Sequence, residues 1–257
     1  MTNVRGDKVR TERKTVVGDS EFQQMLQAAE SIEDKYMQLR AKAVLCILRL
    51  CGKRRGEVAR IEFDDVKVEN NFLHIGFVLE KKRKRFKRCL NCQAKNTVKA
   101  LFCAKCGESL ENAQIQKSSK HDTAVKSIPI EDPLARLIVE YADYLKSREP
   151  NVKFLFPSGR NVFGHYVILP NKHLNGRHIF NIVRSCSEII WPHLFRESCG
   201  AEIVKSDPSL IGIFRVMQRL DLEDYRTGFN YLKRYAGDVI QREQQKAIEN
   251  GKRTGLD

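Results

Sequence analysis

Two Cys-x-x-Cys pairs lie close together in the middle of the chain and restrict what that segment can fold into. Cys89 and Cys92 form the first pair, and Cys103 and Cys106 form the second. A two-residue spacing lets both thiolates of a pair reach one ion, and two such pairs complete a tetrahedral sulfur shell that suits Zn²⁺. Four thiolates leave no open coordination position, so we predict a structural zinc ion rather than a catalytic one.

The sequence around these cysteines is similar to that of a zinc ribbon, with knuckles LNC and FCAKCGE. So short a segment cannot build a core, so metal binding would supply most of its folding free energy, on the order of 10 kcal/mol. The alternatives are an iron–sulfur cluster, a redox pair or a coincidental spacing. The other four cysteines lie in apolar, helix-like segments and are predicted to be buried thiols: Cys46, Cys51, Cys186 and Cys199.

The basic composition concerns the partners of the protein rather than its fold. The 257 residues carry a formal charge of +14, which favours anionic partners such as nucleic acid or an anionic membrane surface. No stretch approaches the roughly 18 apolar residues of a membrane span, and the polar N-terminus does not resemble a secretory signal. We therefore expect an intracellular protein, in the cytoplasm or nucleoid, with no membrane partner.

Hydrophobic periodicity predicts a mainly helical α+β fold with a small antiparallel sheet. Local signals bound the helices: Ser20 as a cap, Gly52 as a stop, and Asp132-Pro133 and Asp207-Pro208 as starts. The predicted helices lie at about 20–32, 34–51, 54–61, 133–145, 175–190, 192–204, 208–220 and 223–249.

Strand patterns at 72–79 and 123–130 frame an abrupt change of composition. Asn70-Asn71 predicts a hairpin turn before the first of these strands, and a short strand follows at 154–160. Between the two framing strands the chain reads KKRKRFKR and then enters the cysteine segment. We expect a basic, flexible lead-in at 1–19 and one domain at 20–257, interrupted by a zinc-ribbon insertion at 86–118.

An arginine after the second helix begins a possible catalytic set. The segment LCGKRRGEVARIEFDDV resembles the first arginine box of tyrosine recombinases, approximately TGLRxSELxxLxxxDV, with Arg54 in the catalytic place. Arg55 is the neighbour with which it can be confused. An arginine after a helix is commonly a solvated charge, so this box needs the others to carry meaning.

The segment WPHLFR matches the HxxR box of the same family, with a proline at a helix start. Three-residue spacing places His193 and Arg196 on one face of the first turn. A helix N-terminus favours a bound anion, and a guanidinium offers two donors to a phosphate. The alternative is a surface histidine and arginine on an ordinary helix.

The closing segment, MQRLDLEDYRTGFNYLKRY, resembles the family pattern LLGHxxxxTTxxY. Aligning Thr227 on the first threonine places the nucleophile at Tyr231, with Tyr225 and Tyr235 as alternatives. Leu222 stands where the family usually has histidine or tryptophan, so one contact to the phosphate or tyrosine is absent or supplied otherwise. The alternative without chemistry is a structural tyrosine on an amphipathic helix.

Together these boxes make the chain similar to the catalytic domain of tyrosine recombinases, or integrases, from about residue 30 to 235. The resemblance implies that Tyr231 forms a 3′-phosphotyrosyl link to DNA, that Arg54 and Arg196 stabilise the charge, and that His193 assists proton movement. It also implies double-stranded DNA as substrate, four copies on two duplexes, and no nucleotide cofactor or catalytic metal.

The family's general acid is a lysine in the hairpin turn that the zinc ribbon occupies here, so it cannot be aligned cleanly. Lys82 is the first choice, Lys81, Lys84 and Lys120 compete, and Lys126 stands where the family often has an arginine. The run 81–88 is expected to contact the phosphate backbone, which makes binding strongly salt-dependent.

Three readings remain open. In the first the chain is an active recombinase, either a piece of a longer one that also carries an N-terminal DNA clamp or a minimal one in which the zinc ribbon adds grip. In the second it is a degenerate recombinase that only binds DNA, as Leu222 and the displaced lysine would suggest. In the third it is a zinc-ribbon nucleic-acid-binding factor and the motif matches are accidental. That reading predicts that four residues lie far apart: Arg54, His193, Arg196 and Tyr231.

Overall fold

The structure is a computed structural model that describes residues 16–79, 85–117, 123–163, 165–238 and 241. The chain divides into two compact units. The larger unit comprises Met1–Phe77 and Val125–Asp257, and the smaller unit comprises Val78–Ala124. No helix among the described residues is both long enough and apolar enough to span a bilayer.

From residue 16 onward, the larger unit begins with three helices: α1 (Asp19–Glu30), α2 (Lys35–Cys51) and α3 (Arg55–Ala59). The N-cap of α1 is Gly18 rather than the predicted Ser20, because the Glu21 carboxylate accepts the Gly18 N–H at 2.9 Å and closes the first turn earlier. The preceding Val17 is buried, and its N–H donates to Ser198 Oγ at 2.7 Å.

Helix α2 is the central element of the core. It packs against α1 and other helices of the larger unit, and it has buried side chains along most of its length. Its start is capped by the Asp34 carboxylate, which accepts the Met37 N–H at 2.8 Å. Gly52 ends it in the left-handed conformation, with φ of 59°. A Cβ at Gly52 would lie 2.7 Å from Leu220 Cδ2, so both the conformation and the close approach require glycine, as predicted for this C-cap.

A three-stranded antiparallel sheet has the strand order β1 (Val66–Glu69), β2 (Phe72–Val78) and β6 (Thr123–Pro129). A 3-10 turn at Phe63–Asp65 leads into it. The β1–β2 turn confirms the predicted hairpin, because Asn70 and Asn71 take φ values of 50° and 63°. Alternate residues of β2 are buried, which fixes the face of the sheet that the core covers.

The smaller unit contains a second antiparallel sheet of order β4 (Lys95–Thr97), β3 (Arg85–Arg88) and β5 (Ile115–Lys117). Beneath it lies a small cluster of buried side chains that includes two of the predicted metal ligands: Cys89, Cys103, Leu110 and Ala113. So few buried side chains make a very small core, which fits a segment that a metal holds together.

Helix α4 (Pro133–Arg148) returns the chain to α2 and begins as predicted, with the Asp132 carboxylate accepting the Leu134 N–H at 2.8 Å and proline at the first position. The hairpin that follows was only half predicted. Strand β7 (Pro157–Val162) pairs with β8 (His165–His173), a strand that the sequence reading missed.

Four more helices have both ends within the described residues: α5 (Gly176–Cys186), α6 (Pro192–Ser206), α7 (Leu210–Leu220) and α8 (Tyr225–Tyr235). The cap of α7 is Ser209 and not the predicted Asp207, because the Ser209 hydroxyl accepts the Ile211 N–H at 3.1 Å. The predicted helix at 223–249 corresponds to α8, and most of its remainder lies outside the described residues. Helices α6, α7 and α8 share one apolar cluster: Cys199, Val204, Ile213, Val216, Leu220, Tyr231, Leu232 and Ala236.

Candidate functional site

One pocket of about 250 Å³ collects the residues that the recombinase boxes singled out. It opens between the start of α3, the first turns of α6, the α7–α8 loop and helix α8. The lining residues are Arg54, His193, Arg196, Glu197, Leu222, Thr227, Asn230, Tyr231, Arg234 and Tyr235. Elements that are distant along the chain therefore meet at a single concave site.

Arg54 lines this pocket and Arg55 does not. Arg54 is the N-cap of α3, where its N–H and its Nη1 donate to the two carboxylate oxygens of Glu57 at 2.8 and 3.0 Å. The backbone bond closes the first turn of the helix, and the Nη1 bond holds the guanidinium beside Glu57. Arg55 instead lies over the ring of Phe180, 5.8 Å from its centroid.

Arg196 is held from behind by the main chain. Its side chain is only 3% exposed; Nη1 donates to the Gly52 carbonyl at 2.8 Å, and Nη2 donates to the Leu220 carbonyl. Burial lowers the pKa of the guanidinium, and the positive charge of Arg54 lowers it further. The two cations thus lie close enough to repel each other, and an anion between them would relieve that repulsion.

His193 and Glu197 face each other on the first turns of α6. His193 Nε2 lies 3.2 Å from Glu197 Oε1, and the His193 side chain is 61% exposed. Burial alone would raise the pKa of the Glu197 carboxyl, but hydrogen bonds from His193 and Tyr235 and the charge of Arg234 lower it overall. The pocket therefore contains a carboxylate that is ionised.

Tyr231 presents its hydroxyl inside the pocket. The side chain is 7% exposed, and its hydroxyl donates to Glu197 Oε1 at 3.3 Å. Its ring lies against Gly200 of α6, where any larger residue would overlap it. Burial and the negative charge of Glu197 raise the pKa of the phenol, while the charge of Arg196 opposes them.

The two alternative tyrosines differ in position. Tyr235 also lines the pocket, and its hydroxyl donates to Glu197 Oε2 at 2.9 Å. Tyr225 is 40% exposed, stacks on Phe229 at 6.3 Å, and is not among the lining residues. Geometry therefore leaves Tyr231 and Tyr235 as the candidates.

Glu197 is a candidate functional residue of this pocket that sequence reasoning missed. Four polar side chains converge on it, from His193 on its own helix and from Tyr231, Arg234 and Tyr235 on α8. The one available signal was its spacing, because Glu197 follows His193 by four residues and so shares its helix face. No sequence pattern predicted which side chains of α8 would contact Glu197.

A largely buried cluster of three charged side chains braces the loop that carries Leu222. Asp221 takes the left-handed conformation at φ of 49°, at the position that aligns with the family's glycine. Its carboxylate pairs with Lys53, which is 1% exposed, and with Lys126, whose Nζ lies 3.4 Å from Oδ1. Burial lowers the pKa of Lys53, and the contact with Asp221 opposes that shift. Leu222 lines the pocket with an apolar side chain.

Among the lysines considered for the general acid, only Lys126 lies within the described residues, and it does not line this pocket. Lys82, Lys81, Lys84 and Lys120 lie outside the described residues. Lys126 donates to the Gln218 carbonyl at 2.9 Å as well as to Asp221, so this lysine braces a loop. The role predicted for a lysine stays a prediction.

The four predicted metal ligands form one cluster. The sulfurs of Cys89, Cys92, Cys103 and Cys106 all lie within 4.8 Å of one another. The Cys89–Cys106 and Cys92–Cys103 separations are 3.6 and 3.5 Å, near the roughly 3.8 Å between sulfurs of a tetrahedral zinc–thiolate site. The donor set and the spacing therefore fit a zinc ribbon.

Hydrogen bonds around the cluster favour the thiolate form of one ligand. Burial would raise the pKa of the Cys103 thiol, but the N–H groups of Lys105 and Cys106 and the amide of Asn96 lower it to about 6. Asn96 Nδ2 donates to Cys103 Sγ at 3.5 Å, and its Oδ1 accepts the Ala104 N–H at 2.9 Å. Such hydrogen bonds to a ligand atom hold the ligand in the orientation that metal binding requires.

Solved structures of three recombinases share this fold. The XerH site-specific recombinase bound to its difH substrate has 12% identity and a TM-score of 0.52, covering 85% of this chain and 50% of that one. The XerA recombinase has 13% identity and a TM-score of 0.53, covering 90% and 66%. The Tn1549 transposon integrase in complex with transposon right-end DNA has 13% identity and a TM-score of 0.50, covering 93% and 67%.

The family model and the fold thus define a tyrosine-recombinase catalytic fold, and the predicted resemblance is confirmed. The chain belongs to the phage integrase family, whose family model matches residues 16–232. It spans about half to two thirds of the length of the structures that it matches. No curated protein matches the chain.

Proposed function

We propose that this protein cleaves and rejoins DNA at specific sites through a covalent bond between Tyr231 and the 3′-phosphate of the cut strand. One observation carries the proposal: Arg54, His193, Arg196 and Tyr231 come from three separate stretches of the chain and line the same pocket. Cations that surround a nucleophile in a concave site are the arrangement that phosphoryl transfer needs. An accidental match of motifs would have scattered these residues.

In the proposed reaction the Tyr231 hydroxyl attacks a DNA phosphorus, and the bond to the 5′-oxygen breaks. Arg54 and Arg196 stabilise the charge on the non-bridging oxygens. His193 assists proton movement, and Lys82 protonates the departing 5′-oxygen. A 5′-hydroxyl from another strand then attacks the phosphotyrosine, so the bond energy is conserved without a nucleotide cofactor or a catalytic metal.

The smaller unit is proposed to grip the phosphate backbone of duplex DNA. Residues 78–124 hold 12 lysines and arginines against 4 acidic residues. In its sheet the register pairs Arg88 with Lys95, and both cations lie over the ring of Phe86 at 5.7 and 5.0 Å. A zinc ion bound by the four cysteines would hold this sheet in place, and the cations would make binding depend on salt.

We propose further that copies of the chain assemble on DNA, as a tetramer on two paired sites. Helices α7 and α8 expose a set of large apolar side chains, each at least 40% exposed: Leu210, Ile211, Phe214, Tyr225 and Phe229. A concentration of exposed apolar residues on neighbouring helices is typical of a protein interface. Light scattering with and without DNA tests this step, and a monomer under both conditions contradicts it.

Covalent capture tests the central proposal. A library of nicked suicide duplexes is incubated with the protein, and the complexes are washed under denaturing conditions. The DNA that remains attached to the protein is then sequenced. We expect a covalent adduct that Tyr231→Phe abolishes and that Tyr225→Phe retains. The same panel includes Tyr235→Phe, because the Tyr235 hydroxyl shares the pocket.

Two results would refute the proposal in different ways. Normal DNA binding with no adduct on any duplex favours the degenerate recombinase, which binds DNA without cutting it. An adduct that is lost in Tyr235→Phe and kept in Tyr231→Phe moves the nucleophile by one helical turn.

A further inference from the structure

We propose that Glu197 is the base that accepts the proton of Tyr231 during cleavage. The inference rests on the proposed strand exchange and deepens it. Among the described residues, the Tyr231 hydroxyl donates to Glu197 Oε1 at 3.3 Å and not to a histidine nitrogen. Because an ionised carboxylate only accepts hydrogen bonds, it directs the phenolic proton toward itself and leaves the oxygen lone pairs free to attack.

The carboxylate is held so that its two oxygens are used differently. Oε2 accepts the Tyr235 hydroxyl at 2.9 Å and Arg234 Nη1 at 3.2 Å, which anchors the group on helix α8. Oε1 faces the Tyr231 hydroxyl and His193 Nε2. Because contacts to Oε2 fix the carboxylate, Oε1 is already oriented toward the Tyr231 hydroxyl before the substrate binds.

The charges around Glu197 keep it ready to accept a proton. Its pKa is lowered overall, so the carboxyl is ionised at neutral pH, whereas burial and the Glu197 charge raise the pKa of Tyr231. In the resting pocket the phenol therefore keeps its proton. As the oxygen bonds to phosphorus its acidity rises sharply, and transfer to Glu197 becomes favourable. Among the described residues, the titratable or charged groups that line the pocket together with Glu197 are Arg54, His193, Arg196, Tyr231, Arg234 and Tyr235.

The step balances in both directions. In cleavage the bond from Tyr231 Oη to phosphorus forms, the phosphorus–O5′ bond breaks, the phenolic proton passes to Glu197 Oε1, and the general acid protonates O5′. In rejoining, the attacking 5′-hydroxyl loses its proton to that acid in its basic form. Protonated Glu197 then returns its proton to the departing phenolate oxygen. The same carboxyl therefore serves as base and acid, and it ends unchanged.

The test compares Glu197→Gln with the unmodified protein in single-turnover cleavage of a suicide duplex. Glutamine keeps the size of the side chain and an accepting oxygen but cannot take up the proton. We expect the rate of adduct formation to fall about 100-fold or more, the usual contribution of a general base. Because the variant removes a negative charge from a phosphate pocket, its affinity for DNA should be equal or higher.

A pH profile separates a base from a structural residue. Glutamine cannot take up the proton, so we expect cleavage by Glu197→Gln to depend on hydroxide, with a rate that rises about tenfold per pH unit above neutrality. The unmodified protein should show a flat profile over the same range. The matched control is Glu202→Gln. This variant removes another carboxylate of helix α6, one that pairs with Arg49 of α2. It should keep both the cleavage rate and the flat pH profile.

A duplex with sulfur in place of the bridging 5′-oxygen locates the defect, because a thiolate leaves without needing a proton. We expect Glu197→Gln to be as slow, relative to the unmodified protein, on this duplex as on ordinary DNA. Full recovery on the sulfur duplex would overturn the inference, since Glu197 would then act on the leaving group. So would an unchanged rate on ordinary DNA. If the unmodified protein forms no adduct, the proposed strand exchange itself fails.

Discussion

The contact between Tyr231 and Gly200 offers the sharpest test of the site geometry. A Cβ at Gly200 would approach two ring carbons of Tyr231 to less than 3.0 Å and a third, Cζ, to 3.1 Å. Carbon atoms pack at about 3.5–4.0 Å, so Gly200→Ala must move the ring by about 1 Å. The hydrogen bond from the Tyr231 hydroxyl to Glu197 Oε1, already 3.3 Å long, would then break.

The expected effects on stability and on cleavage differ in size. Overpacking costs about 1–3 kcal/mol, and alanine in a helix interior regains about 0.5–1 kcal/mol relative to glycine. Gly200→Ala should therefore fold, with a free energy of unfolding lower by about 0.5–2 kcal/mol. A 1 Å misplacement of a reacting group can cost about 100-fold in rate. Covalent adduct formation should thus fall far more than DNA binding or thermal stability.

The assay measures single-turnover adduct formation, DNA affinity and thermal unfolding on the same preparations. Gly237→Ala is the matched control, because a Cβ at Gly237 would have no atom within 4 Å. The reasoning is refuted if Gly200→Ala forms the adduct at the rate of the unmodified protein. A loss of adduct in Gly237→Ala would equally show that the effect does not come from the ring contact.

Three further predictions follow from the braced loop and the smaller unit. Lys53→Met leaves the partly buried Asp221 carboxylate with one partner fewer and should lower the free energy of unfolding by about 3 kcal/mol in urea titration, whereas Lys35→Met, at an exposed pair 3.9 Å long, should change it by less than about 1 kcal/mol. Equal effects would contradict the brace. A chelator should release one zinc ion per chain and speed hydrogen exchange within residues 78–124 first; a chain purified without stoichiometric zinc contradicts the metal assignment. Replacing Arg88 and Lys95 together by glutamine should reduce the slope of log affinity against log salt by about 2. An unchanged slope would show that these cations do not contact phosphates.

Local chemistry explains the parts of the fold that the sequence predicted. Asp132 with Pro133, Gly52 and the Asn70-Asn71 pair each stabilise a turn or a helix end through their own backbone, so their effect is visible without knowing the fold. The start of α7 shows the limit of this reasoning. Aspartate before proline predicted a cap, yet the Ser209 hydroxyl serves instead, two residues later. Competing caps differ by tenths of a kcal/mol, which sequence patterns cannot rank.

The site was predictable only where a motif carried it. Spacing within one helix placed His193 and Arg196 together, but no local rule related Glu197 to the hydroxyls of α8, because that meeting depends on how α6 and α8 pack. The buried Lys53 has the same origin: a lysine next to a glycine is normally a solvated charge, and only the approach of the α7–α8 loop gives it Asp221 as a partner. Strand β8 was missed because its polar residues do not alternate as in a half-buried strand.

Arg196 takes its orientation from two main-chain oxygens, those of Gly52 and Leu220. Main-chain acceptors persist whatever side chain stands at a position, so mutational drift at residue 220 cannot delete the support as it could delete a glutamate. The arrangement also sets an order in time. A nascent chain cannot orient this guanidinium until residue 220 has left the ribosome and folded back, so a truncated product that ends before that point carries the arginine but not its geometry.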